Sequence, residues 1–118
     1  MDPRSPLWNV TASDPALKAI PDFGKTLGYE TLRDLHLSDS GSIVVRSFEH
    51  RDTWVVECRT KTDEEPSHSD WIQAERSAQQ KASNWAKRYR FNDMIVDLSS
   101  IKHSGYNLTF SLELQIKY

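Results

Sequence analysis

The sequence predicts an α+β domain. Its expected core is an antiparallel sheet of about four strands with one main amphipathic helix, residues 70–90, packed on it, preceded by short N-terminal helices. Two observations carry this expectation. Over 108–118, Leu108, Phe110, Leu112, Leu114, Ile116 and Tyr118 alternate with Thr109, Ser111, Glu113, Gln115 and Lys117. Strict alternation marks a strand with one buried and one wet face. Over 71–89, Trp71, Ala74, Ala78, Ala82, Trp85 and Tyr89 fall on one stripe at about 100° per residue, the period of an amphipathic helix. A single helix laid over an antiparallel sheet buries both faces.

Taken in order, residues 1–15 hold prolines at 3, 6 and 15 and read as an extended arm. Trp8 is its largest apolar side chain, suited to cover the domain's own core or to anchor the arm on a neighbouring subunit. Ser13 can cap a short helix over 14–20, which Pro21 is expected to stop. Residues 22–28, with Gly24 and Gly28, read as a loop. A second short helix over 29–37 would bury Leu32 and Leu35, with Tyr29 and His36 at related spacing. Residues 38–41 have turn chemistry.

The β-branched run at 43–45 suits a strand over 42–48, and 50–52 suit a hairpin connection. The partner strand, 53–62, would bury Trp54, Val56 and Cys58 and leave Val55, Glu57 and Arg59 on a half-wet face. Cys58 reads as a small buried apolar residue. Residues 62–69, acidic at Asp63, Glu64 and Glu65, read as a mobile loop. Ser69 or Asp70 can cap the main helix, with Glu75 in its first turn. A short strand over 94–98 and a turn-containing stretch over 99–106 lead into the closing strand. There, Leu108, Phe110, Leu112 and Leu114 are expected under the alanine stripe, while Ile116 and Tyr118 extend toward an edge or a partner.

Composition narrows the function classes. The 118 residues fit one domain, 1–118. Fifteen basic against 17 acidic residues argue against a general polyanion binder. One cysteine permits no internal disulfide. No apolar run approaches the roughly 20 residues of a membrane-spanning helix. A cytoplasmic protein without a membrane partner is the expectation.

Candidate chemistry is sparse. Histidines at 36, 50, 68 and 103 have no close partners at metal-ligand spacing, so neither a metal nor a cofactor is expected. Lys81, Lys87, Arg88 and Arg90 interleave with Trp85 and Tyr89, a pattern that can hold nucleic acid, although the aromatics lie on the core stripe. Val55-Val56-Glu57-Cys58-Arg59 resembles the second strand of restriction-endonuclease-like nucleases, in which an acid, a spacer and a lysine close a metal site. Here Ser42 stands where a second acid is expected and Arg59 replaces the lysine. That implies a nuclease-like fold, active or, given these two departures, degenerate, and the plain alternative is a Glu57/Arg59 surface pair.

The order of elements from Thr53 onward, carried by 53–59, the helix 71–90 and the closing strand, resembles the tail terminator and minor capsid (head–tail joining) proteins of long-tailed bacteriophages. The resemblance implies a non-enzymatic structural protein, located in the virion, that forms a ring through contacts with its own copies and a protein partner. Trp8, Glu64, Glu65, Ile116 and Tyr118 are the interface residues expected on that reading. A small inhibitor or immunity-type protein is the alternative binding role.

Overall fold

The computed structural model describes residues 14–37, 41–48 and 52–118. Helix α1 (Asp14–Asp34) is followed by β1 (Ser42–Ser47), β2 (Thr53–Lys61), helix α2 (His68–Arg88), β3 (Asp93–Ser104) and β4 (Asn107–Lys117). The strands form one antiparallel sheet in the order β1-β2-β4-β3. Both helices pack on the same face of it, α1 over β1 and β2, α2 over β3. The α+β expectation therefore holds, with two long helices on the sheet. If β4 were placed before α1, the elements would read β-α-β-β-α-β, a split βαβ arrangement. Such an architecture is compatible with many functions and specifies none.

The closing strand is central, hydrogen-bonded to β2 on one side and β3 on the other. Leu108, Phe110, Leu112 and Leu114 are fully buried under the helices. Ile116 is buried too, at 1% exposure, so it belongs to the core and does not reach toward a partner. Its strand neighbour Tyr118 is half exposed and sets its ring edge-on to Phe91 at 5.5 Å. The pleat explains the outcome: a strand paired on both sides has no free edge, and every second side chain must enter the core.

Two expectations at the N-terminus are corrected. The short helices over 14–20 and 29–37 are one helix, α1, which continues through Pro21. Pro21 removes one helical N–H donor but lies on the exposed side. On the opposite side Ile20, Leu27, Thr31 and Leu32 are buried. Gly24 and Gly28 are not loop residues but the contact face of α1. A Cβ on Gly24 would meet both Cγ atoms of Val45 at 3.0 and 3.3 Å, and one on Gly28 would meet Ile43 Cδ1 at 2.7 Å and Cys58 Sγ at 3.3 Å. The two glycines, one turn apart, bring the helix axis down onto β1 and β2, and that burial outweighs their poor helix propensity.

Both helices end on a left-handed residue that is not glycine. His36 (φ 60°) donates to Arg33 O at 3.0 Å and Leu37 donates to Leu32 O at 2.8 Å. Arg90 (φ 65°) donates to Lys87 O at 3.2 Å and Phe91 to Ala86 O at 3.0 Å. These paired bonds are Schellman ends, which satisfy the last carbonyls and turn an apolar residue back to the core. At its other end α2 starts earlier than expected. Ser67, rather than Ser69 or Asp70, is the N-cap, and Asp70 completes the capping box with reciprocal 3.2 Å bonds. Glu75 thus falls in the second turn.

The turn-containing stretch over 99–106 is mostly strand. β3 continues to Ser104, and only Gly105 (φ 59°) and Tyr106 form the hairpin turn. A bulge between Ser100 and Lys102 shifts the side-chain phase, which hides the strand from any alternation count. The arm 1–13, with Trp8, and the turns at 38–40 and 49–51 lie outside the described residues.

Replacing Gly28 with valine is expected to lower folding stability by about 2 kcal/mol, because its branched side chain has no room between Ile43 and Cys58. Urea unfolding followed by far-ultraviolet dichroism checks this. An unchanged midpoint would show that α1 does not need the close approach.

Candidate functional site

The two edges of the sheet are treated differently. Along β3, alternate residues turn their backbone groups away from β4. Side chains of α2 occupy those positions. Gln79 Oε1 accepts from the Val96 N–H at 2.8 Å, and Gln79 Nε2 donates to Met94 O at 2.7 Å. One amide thus binds the edge as the peptide group of a neighbouring strand would. One turn earlier, Glu75 Oε2 accepts from the Leu98 N–H at 2.9 Å. One turn later, Ser83 donates to Asp93 Oδ1 at 2.8 Å, and that carboxylate also accepts from the Met94 N–H at 2.8 Å. Glu75, Gln79 and Ser83 stand at successive i+4 positions and close the edge from 93 to 98.

β1, the opposite edge, has no such cover among the described residues. Phe48 N–H bonds Thr53 O at 3.0 Å. In an antiparallel ladder bonded pairs alternate, so residues 42, 44 and 46 bond β2 while the N–H and C=O groups of Ile43, Val45 and Ser47 point outward. Val44 and Phe48 beside them are about half exposed. An uncovered edge is a template for another strand, and proteins usually block it.

The expected site residues fare unequally. Glu64 lies in an exposed, hydrogen-bonded turn: its N–H donates to Thr62 Oγ1 at 3.3 Å and its C=O accepts from that hydroxyl at 2.9 Å. Glu65 is exposed in the same connection. Lys81 is not part of a basic patch. Its ammonium lies 3.5 Å from Glu30 and 3.6 Å from Asp34, tying α2 to α1. Lys87, Arg88 and Arg90 are exposed at the end of α2. Their interleaved aromatics are turned inward: Trp85 stacks on Phe23 at 4.9 Å and contacts Tyr89 at 4.7 Å and Phe91 at 6.3 Å. That end of the helix offers charge without a stacking surface.

Glu57 pairs with Arg46 on β1, not with Arg59. Its cross-strand row on the helix-free face runs Val44, Glu57, Ser111, Ser99, with no second carboxylate. Ser42 lies directly opposite Arg59. Among the described residues no group of three or more histidine, cysteine, aspartate or glutamate side chains could hold a metal ion. His103 is turned to Thr62 O at 3.3 Å, and His36 holds the end of α1. Cys58 is fully buried, and burial pushes its thiol up to about 12. Burial, with a smaller contribution from Asp52, raises the Tyr118 phenol as well.

A concavity opens at the end of the sheet where β1 begins. It measures about 650 Å3 and is lined by Ser42, Arg59, Lys61, Asn107 and Thr109, together with Gly41, Thr60 and Leu108. Sequence reasoning did not single it out, because Arg59 and Lys61 come from one strand while Asn107 and Thr109 come from another. Only the register brings them together. Two signals were present: i, i+2 cations on β2 and the i, i+2 polar pair that opens β4.

Gln79→Ala is expected to cost about 1–3 kcal/mol, since it strands the Val96 N–H and Met94 C=O. Hydrogen exchange at Val96 should accelerate, and an unaltered Val96 rate would show that Gln79 does not cover the edge. Native Cys58 should react with a disulfide reagent only as fast as the protein opens. Rapid labelling without denaturant would contradict its burial. No protein-family model, curated protein or solved structure matches this chain.

Proposed function

We propose that this protein works by non-enzymatic assembly, with the β1 edge as its contact element and a second copy of the chain as the occupant. One observation carries the reading: the fold commits Glu75, Gln79 and Ser83 to covering the β3 edge and leaves the β1 edge bare among the described residues. Strand addition supplies affinity through main-chain hydrogen bonds and specificity through alternate side chains.

A two-fold axis at Val45 pairs all the outward backbone groups. It sets Ile43 against Ser47 of the second copy, Val45 against Val45, and Val44 against Arg46. No like charges then face one another. An axis at Arg46 would bring the two guanidinium groups together and is disfavoured. The tail-protein resemblance implies a ring, which needs two different surfaces per subunit. Among the described residues β1 is the edge left without side-chain cover along its whole length, so sheet extension through it supports a closed pair and leaves ring formation to other surfaces.

Ser47→Pro tests the edge. Its N–H points outward, so proline removes an edge donor without breaking the β1–β2 ladder. The expected result in sedimentation velocity is a dimer for the wild type and a monomer for Ser47→Pro, with little change in thermal stability. A wild type that stays monomeric at high concentration would sink the proposal.

A further inference from the structure

We propose that the helix-free face of the sheet, at the end where β1 begins, binds single-stranded nucleic acid through its phosphates. The register sets Ser42, Arg59, Thr109 and Lys102 in one row across all four strands, with Lys61 and Asn107 in the next pair. Arg59 and Lys61 are two residues apart on one face, about 7 Å along the strand, and Lys102 lies two strand spacings from Arg59, about 10 Å. All three cations are exposed. Among the described residues none has a carboxylate partner, whereas Arg46 and Lys81 do.

The groove beside Arg59 and Lys61 is lined by the polar side chains of Ser42, Asn107 and Thr109 as well as by Leu108, and among the described residues no carboxylate lines it. Arg59, Lys61 and Lys102 do not converge on one point, as a site for a single small anion would require. They are spread along an open floor, as a chain of phosphates requires. Tyr106, in the hairpin turn next to Asn107 along the chain, is 71% exposed, with its backbone fixed by the bond from Thr62 N–H to Tyr106 O at 2.7 Å. An exposed aromatic ring on a fixed turn is a stacking platform for a base. The α2 end has cations but packs Trp85 and Tyr89 against the core, whereas Tyr106 is exposed near the sheet cations. With a net charge of −2, attraction is local to this patch and sensitive to salt.

Fluorescence anisotropy of a labelled oligothymidylate, titrated with the full chain over a salt series, tests the proposal. Binding should weaken with salt, and Arg59→Ala, Lys61→Ala and Lys102→Ala should each reduce the salt slope by about 1. Tyr106→Ala should weaken binding about tenfold without changing that slope. Lys87→Ala with Arg90→Ala should leave binding as it was. No binding at low salt would overturn the proposal. So would a loss that follows Lys87 and Arg90 instead, or equal affinity for a labelled polyglutamate, which would identify an acidic protein segment as the ligand class.

Discussion

The structure depends on one strand having no free edge. β4 is hydrogen-bonded on both sides, and its inward residues from Leu108 to Ile116 are all at most 1% exposed. Each of these side chains must be covered from above, which requires both helices on one face. It also explains the strand's length. Eleven residues are needed because β4 pairs with nine residues of β2 and nearly all of β3. The pattern that runs almost to the chain end therefore reflects internal pairing. A partner strand would find nothing on β4 to bind.

Covering that face brings in small residues on both helices. Ala74, Ala78 and Ala82 lower α2 onto the sheet, and Gly24 and Gly28 do the same for α1. Close approach leaves space at the outer ends, which large rings fill: Trp71 against Phe110 at one position, and Phe23, Trp85 and Phe91 at the other. The close approach of α2 has a second consequence. Its side chains at 75, 79 and 83 are near enough to reach the β3 backbone. Edge protection and core packing thus rest on the same helix position.

How much of this was legible follows from the range of the interactions. The alternation in β4 and the stripe on α2 are local periodicities, so the α+β class, the hairpin of β1 and β2, and the burial of Trp54, Val56 and Cys58 could be read from the chain. α1 was not legible as one helix because Pro21, Gly24 and Gly28 are local breakers whose compensation comes from Val45, Val56 and Ile43, distant in sequence. The helix ends were hidden because His36 and Arg90 occupy positions where glycine is the usual signal. Strand order leaves no local trace, so Ile116 was expected at an edge when it is central. Gln79 gives no local sign of its role, because Met94 and Val96 lie far along the chain, and Glu57 was matched with Arg59 although its carboxylate pairs with Arg46.

The same register links the two proposed surfaces. Pairing two copies through β1 would join their sheets into one and place both helix-free faces on the same side. The axis at Val45 reverses the strands, so the Arg59 end of one copy lies beyond the Phe48 end of the other. The two basic grooves would then sit at opposite ends of a continuous eight-stranded surface, separated by the Arg46–Glu57 pairs near its centre. A single strand could meet one groove without crossing those central carboxylates, or span both grooves if long enough. Assembly and ligand binding would then be coupled through length: dimerisation should raise affinity for long strands and leave short ones unaffected, because only a long strand gains a second, tethered contact.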